Sequence, residues 1–541
     1  MKYFRAPPLL ILSMFWAGCA GGSGEKEPSA DLEIAKNQSV PQLGQGREFW
    51  RGHYYAQAVD QYMGQDLDGH PRLLLERGRL LFEVGMFYRA LGELATQLSS
   101  DLLAIWIKGQ ERGDMESRFL SCLAAIEAYE RGDYQGSISL LPKIEADQAP
   151  PVLDDPARLA VAASYLQLGN EAEGRKILEG LQKREIGDPI LAMQIYRRRA
   201  ELGEIDLSEN DVPPWKLPEG KLEGKANAGL VDLAWIFLQR GEIDRAFQTL
   251  RRFEPRLPLA EEVFEFQVAA GDDLARQFYV VSFLPLAARL HFFLASEDLR
   301  KVMEEDGDIG LYAPYLLGTA LREAGESEAA KRAFGVFVDR AKTRDGDTDL
   351  KNYLEFLTGL SWIYQGSISW EEGRPEEAYQ LWDQVPEGED LRLLALRAAS
   401  IYERANATGE MPLAGDLGRY QQGLVRSNST KYRGYESEYF RTASMKLAMC
   451  LRGMKEEDSR EQAVRLLEKL SGYDTKNADP RLLVEMARAY FAHNRNSWSQ
   501  GKKLITGLIP QADACFPVSE IYVYVLADFA RWKPNDIIPG R

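Results

Sequence analysis

One unit recurs along this 541-residue chain and limits what it can fold into: two short helices hinged on a glycine, clearest between Ala228 and Pro258. Leu230, Leu233, Ala234 and Phe237 share one helical face, Gly241 ends that helix, and Ala246, Leu250 and Phe253 line a second helix that Pro258 closes. A hairpin this small cannot bury its apolar side alone. Copies must therefore stack, each shielding the next, and such a row has no upper limit of length, unlike a single compact core.

The copies can be followed in order. Arg47 to Met63, with Trp50, Tyr54, Tyr55 and Tyr62, reads as a worn or capping first unit. A second two-helix unit begins at Pro71, with Leu74, Gly78, Leu81, Phe82, Gly85, Phe87, Ala90 and Leu94 at the landmarks. Phe119 to Ile144 repeats the pattern, as does the segment after Pro156. Residues 204–227 carry Pro213, Pro214 and Pro218 among glycines, which forbids a continuous helix, so a break or exposed loop is expected there. After the prototype, Glu261 to Arg300 is helical but lacks the landmarks. Tyr312 to Asp339 and Trp362 to Pro386 restore them, 406–439 reads as a polar, tyrosine-bearing loop, and two further copies run to Pro510 before a capping helix from Val518 to Trp532.

This pattern resembles the tetratricopeptide repeat (TPR), whose landmarks run W-x2-L-G-x2-Y, then A-x3-F, then P. The resemblance implies an all-α fold: an α-solenoid of stacked antiparallel helix pairs, coiled into a TPR-like superhelix whose first helices line a concave groove. Residues 44–203 and 228–541 form its two runs of repeats, on either side of the 204–227 break. Groove-facing positions would then include Trp235, Tyr312, Tyr315, Arg322 and Trp370. Aromatic side chains with a few charges suit an extended peptide or a partner helix, although aromatics at helical spacing also build cores. Tyr432 and Tyr435, beside Arg426, Lys431 and Arg433, make a basic and aromatic island that suits a sugar or an acidic partner, or else packs on the solenoid.

The start of the chain carries an address. Lys2 and Arg5 precede an apolar run from Leu9 to Trp16, and the run Trp16-Ala17-Gly18-Cys19 follows. It resembles a bacterial lipobox, which implies removal of residues 1–18, acylation of Cys19, and a flexible tether over 19–43. The alternative is an ordinary export signal in which Cys19 is incidental. Ala20 stands where an inner-membrane-retention signal has Asp, so the expected place is the outer membrane of a bacterial envelope, with the folded part in the periplasm. Losing Lys2 and Arg5 moves the formal charge from −16 to −16 − 2 = −18. A chain that acidic makes a poor nucleic-acid binder.

No catalytic constellation stands out. The four histidines have no metal-ligand spacing, no GxSxG or GxxxxGK motif is present, and no metal or cofactor is expected. Asp345 to Asp349 starts like a calcium loop but has Leu350 at the sixth position and Phe356 at the twelfth, so a helix N-cap is the simpler reading. The catalytic Glu-Ser and Gly-Leu-Met-Gln motifs of soluble lytic transglycosylases, which also carry helical solenoids, are absent. The resulting expectation is a non-enzymatic, lipid-anchored scaffold that binds the protein partners of an envelope complex. The alternative is a glycan-binding outer-membrane lipoprotein of the SusD-like class, and a weaker one is a peptidoglycan-active enzyme or its activator.

Overall fold

The computed structural model describes residues 41–110, 117–130, 132–147, 151–183, 195–200, 229–251, 271–386, 388–426, 435–472 and 479–512. Among them the chain is all helical, with no strand. It divides into two compact units, one spanning Leu91–Leu290 and the other joining the residues up to Ala90 with His291–Ala514. The expected features at Cys19, the 19–43 tether up to residue 40, the 204–227 break, Tyr432 and the cap from Val518 lie outside the described residues. No helix among the described residues is long and apolar enough to cross a membrane.

The chain opens with α1 (Pro41–Arg51), α2 (Tyr55–Met63) and α3 (Pro71–Gln110). Here one sequence expectation fails, because α3 runs unbroken through Gly85. The difference lies in the following residue. At five hairpin turns, Gly132, Gly169, Gly241, Gly325 and Gly373, the glycine has φ between 73 and 85°, and a polar residue comes next: Asp133, Asn170, Glu242, Glu326 or Arg374. Each turn closes with the same two backbone bonds. At Gly241, its own N–H donates to the Leu238 carbonyl at 3.1 Å and that of Glu242 to Phe237 at 2.9 Å, the left-handed cap that a β-carbon would strain. Gly85 is followed by Met86 and Phe87, both fully buried, so continuing the helix buries more than turning would.

In the Leu91–Leu290 unit, α4 (Ser117–Glu130) packs on two short pieces, α5 (Tyr134–Ser139) and α6 (Leu141–Asp147), and then on α7 (Pro151–Gln167), which pairs with α8 (Glu171–Lys183). Cys122, Ala125, Ile126, Ile144, Ala157 and Val161 form one core cluster, and Leu159, Ala162, Leu178 and Leu181 another. The prototype hairpin is α9 (Gly229–Gln239) and α10 (Ile243–Arg251), turning at Gly241 as the sequence predicts. The boundary between the units falls within α3 and within α11 (Gly271–Val302).

The other unit holds a regular row of hairpins, among the described residues: α12 (Gly307–Ala324) with α13 (Ser327–Thr343), α14 (Thr348–Glu371) with α15 (Pro375–Trp382), α16 (Leu391–Thr408) with α17 (Ala414–Arg426), α18 (Tyr435–Gly453) with α19 (Glu457–Leu470), and α20 (Pro480–His493) with α21 (Trp498–Ala512). The stretch 406–439 is therefore not all loop, since α17 supplies a second helix there. Pro510 lies inside the last turn of α21 rather than beyond it. First helices touch first helices, α14 on α16, α16 on α18 and α18 on α20, which is the α-solenoid, TPR-like arrangement. Small residues set how closely the helices approach. A β-carbon on Gly318 would come within 2.7 Å of the Phe334 ring, and one on Gly366 within 2.5 Å of Trp382, whose indole N–H donates to the Ile363 carbonyl at 3.1 Å.

Candidate functional site

The first helices α12, α16, α18 and α20 carry charged side chains on the stripe where a core would have only apolar ones, and α14 adds serines and a tyrosine there. Arg322 on α12 donates to Glu403 on α16 at 2.6 Å, and Lys446 on α18 donates to the other oxygen of the same carboxylate at 2.7 Å. The Ser367 hydroxyl on α14 adds a long bond to Glu403 at 3.4 Å. All four are buried. Burial pushes the Glu403 carboxyl up, but Arg322 and Lys446 outweigh it and hold it below the usual range. Burial lowers the Lys446 ammonium, with Glu403 pulling the other way. Two rings complete the cluster: Tyr364 lies 4.5 Å beneath the Arg322 guanidinium and Tyr402 lies 4.3 Å from Lys446.

The string extends in both directions. Glu323, next to Arg322, pairs with Arg89 of α3, and Glu485 on α20 is held by Arg452 of α18 and by Arg488 at 2.8 Å. Toward the N-terminal ends of the first helices lies an aromatic group. Tyr353 stacks on Tyr435 at 4.2 Å, Tyr312 stands 6.4 Å from Tyr353, and the Tyr353 phenol hydrogen-bonds Glu438. Burial pushes the Glu438 carboxyl up to about 8, against the pull of Tyr353, Arg79 and Arg441.

The row of first helices faces the chain's own N-terminal helices. Besides the Arg89–Glu323 pair, Arg79 of α3 acts electrostatically on Glu438, and Asp479 and Arg481 at the start of α20 act on Glu83. Arg77 forms a two-pronged pair with Asp298 of α11 at 2.6 and 2.7 Å, and Gly78 lies against Leu299 there. α1 and α2 lie on α3: Trp50 donates to Glu83 at 2.7 Å, Arg47 grips Glu76 at 2.7 and 2.9 Å, and Tyr62 also bonds Glu76.

The residues expected to touch a partner fall in different places. Tyr315 is 2% exposed, wedged between Phe334 and Phe337 inside its hairpin. Arg322 belongs to the buried string. Trp235 is 8% exposed, with Arg197 over its ring at 4.9 Å, in the Leu91–Leu290 unit. Trp370 is half-buried and packs edge-on to Tyr379 at 5.8 Å. Tyr312 and Tyr435, both half-buried, are the two that the structure brings together, through Tyr353. Sequence reasoning missed Glu403, Lys446, Glu438 and Tyr353. The signal for the first two was present: a Glu beside Tyr402 and a Lys between Met445 and Leu447, each on an otherwise apolar stripe.

Among the described residues no group of three or more His, Cys, Asp and Glu is arranged to hold a metal ion. Asp347, in the segment that starts like a calcium loop, is the N-cap of α14, accepting from the Leu350 N–H at 2.8 Å. The Cys450 thiol is buried and pushed up to about 12.

No protein-family model matches the chain, and no curated protein does. Among solved structures it is similar to yeast Tom70, at 11% identity over 91% of this chain and 94% of that one, with a TM-score of 0.27. It is also similar to the APC/C hetero-tetramer Cut9-Hcn1, at 12% identity over 78% and 99%, with a TM-score of 0.22. Neither likeness carries a partner or an activity to this chain.

Proposed function

We propose that the chain is a non-enzymatic scaffold, tethered at Cys19 by lipid to a bacterial outer membrane, whose hairpin array holds a helical segment of a protein partner in an envelope assembly. The observation that carries the binding reading is the seat itself. The row α12 to α20 meets α3 with alternating charge and aromatic rings, the chemistry by which grooves hold helices. A partner would use the parts of that row left half-open, Tyr312, Tyr435 and Trp370. The lipid anchor rests on the Trp16-to-Cys19 sequence alone.

A photo-crosslinking amino acid placed at Tyr312 or Tyr435 of the full-length, lipidated protein in living cells tests the reading. Recovery of one defined protein, joined through a helical segment, supports it. Crosslinks to polysaccharide instead, with retardation in a glycan gel lost in Tyr435→Ala, would establish the SusD-like alternative. Muropeptide release by the purified protein would overturn the non-enzymatic assignment. Palmitate labelling that persists in Cys19→Ala would remove the anchor.

A further inference from the structure

Two groupings in the row of first helices are built to one recipe, and a third is incomplete. Arg322 lies over the Tyr364 ring at 4.5 Å and donates to Glu403, while Lys446 lies over Tyr402 at 4.3 Å and donates to the same carboxylate. Each sets a cation on a tyrosine and ties it to an acid. The group at Tyr312, Tyr353 and Tyr435 has the rings and the acids. Among the described residues, however, no Arg or Lys lies over any of its three rings.

Three helices bring that group together. Tyr435 of α18 stacks on Tyr353 of α14 at 4.2 Å with the ring planes 18° apart, and Tyr312 of α12 stands 6.4 Å from Tyr353. One turn further along α18, Tyr439 packs edge-on against Phe356 at 4.8 Å. Tyr353 is buried, whereas Tyr312 and Tyr435 are half-buried and keep part of each ring open. The acids stand one helical turn from the rings: Asp308 four residues before Tyr312, Asp349 four before Tyr353, and Glu438 three after Tyr435. Those spacings place each acid and its ring on one helix face. Arg344 takes Asp308 at 2.8 Å. Asp349 and Glu438 make no ion pair among the described residues, although Glu438 is only 8% exposed. The Tyr439 hydroxyl, on a side chain 6% exposed, also has no hydrogen-bond partner among them.

We propose that this group receives an arginine side chain of the partner segment, its guanidinium lying on the open sides of Tyr312 and Tyr435 and donating to Asp349 and Glu438. Arginine suits the group better than other cations. A quaternary ammonium wants a box of free ring faces, and the Tyr353–Tyr435 stack has already covered one face of each of those rings. A planar guanidinium both stacks on a ring and reaches carboxylates on two helices, which a compact, strongly hydrated ammonium does less well. The chain uses guanidinium forks itself, Arg77 on Asp298 and Arg47 on Glu76. In the free chain burial pushes the Glu438 carboxyl up to about 8, and a docked guanidinium supplies the charge that lets its proton leave. The formal charge of −16 draws a basic segment to the row.

The test uses a fluorescein-labelled, alanine-based helical peptide with an arginine in each turn, titrated by anisotropy with the full chain at physiological salt. The same peptide with citrulline keeps the shape without the charge, and one with lysine keeps the charge without the fork. The arginine peptide is expected to bind saturably, with the lysine peptide about threefold weaker or more and the citrulline peptide about tenfold weaker or more. Tyr435→Ala and the double variant Asp349→Asn, Glu438→Gln are each expected to weaken the arginine peptide about tenfold, with melting curves showing both chains folded. If Tyr435→Ala does not fold, Tyr435→Leu takes its place. No saturable binding of the arginine peptide, equal binding of the citrulline or lysine peptide, or wild-type affinity in the double variant would overturn the inference. It rests on the scaffold reading for there being a partner, and the two fail separately. A protein crosslinked at Tyr435 without arginine-peptide binding strikes this inference alone, and arginine-peptide binding with no crosslinked protein strikes that reading alone.

Discussion

Glu438→Gln isolates one titration penalty in the array. The carboxyl ordinarily titrates at 4.5 and burial moves it to about 8. A carboxyl raised in the folded state costs nothing below pH 4.5, and its cost grows until pH passes about 8. At pH 7 the difference is 7 − 4.5 = 2.5 pH units from the ordinary value, which at about 1.4 kcal/mol per unit amounts to about 3 kcal/mol. Gln has the same shape, keeps an oxygen to accept from the Tyr353 phenol, and has no proton to give up. The variant is therefore expected to be more stable than the wild type by about 3 kcal/mol at pH 7 and by under about 1 kcal/mol at pH 5. Thermal unfolding across pH 5 to 9 reads this as a gap in melting temperature that widens with pH, to roughly 3–5 °C at neutrality. If both proteins lose stability in parallel as pH rises, or if Glu438→Gln is the less stable at pH 7, then Glu438 is ionised in the fold and Arg79 and Arg441 hold it as an anion.

Three further outcomes are expected. Glu403→Ala leaves Arg322 and Lys446 buried without their shared carboxylate and costs about 3–5 kcal/mol in urea unfolding, whereas replacing all three with apolar residues of similar size costs little. Gly366→Ala drives a methyl to within 2.5 Å of the Trp382 indole and destabilises by roughly 1–3 kcal/mol, seen as a lowered urea midpoint with an unchanged slope. Gly180→Ala in α8, where an added β-carbon meets nothing within 4 Å, stabilises its helix by roughly 0.5–1 kcal/mol, measured as slower amide exchange in α8.

The hairpin unit was legible because it is local. Gly325 followed by Glu326, with Leu317, Gly318 and Leu321 before it and Ala330 and Phe334 after, fixes a turn and two faces within one stretch of chain. Gly85 misled because its own position fits the pattern and only the apolar pair behind it does not. The site was less legible for a physical reason. Arg322 reads as an exposed groove charge until its partner is known, and that partner lies 81 residues away on a helix two hairpins along. Likewise nothing within α3 announces that Arg79, Glu83 and Arg89 meet charges on α18, α20 and α12. Tyr315 and Trp370 occupy sequence positions where the unit needs rings for its own packing, and local spacing cannot separate that use from contact with a partner.

The buried charges serve the order of the row more than its stability. Successive hairpins present similar apolar faces, so a stack held by hydrophobic contact alone would tolerate slipped or exchanged neighbours. The ion pairs do not. Arg89 with Glu323 joins α3 to α12, Glu403 joins α16 to both α12 and α18, and Glu485 joins α18 to α20. Ser367 and Tyr364 of α14 fill the gap between. Any other order leaves a charge buried without its opposite, which costs several kcal/mol at each break. The same links consume the charged groups through which such a row would otherwise grip a ligand. What a partner can meet on the first helices is therefore their aromatic remainder, Tyr312 and Tyr435 around Tyr353.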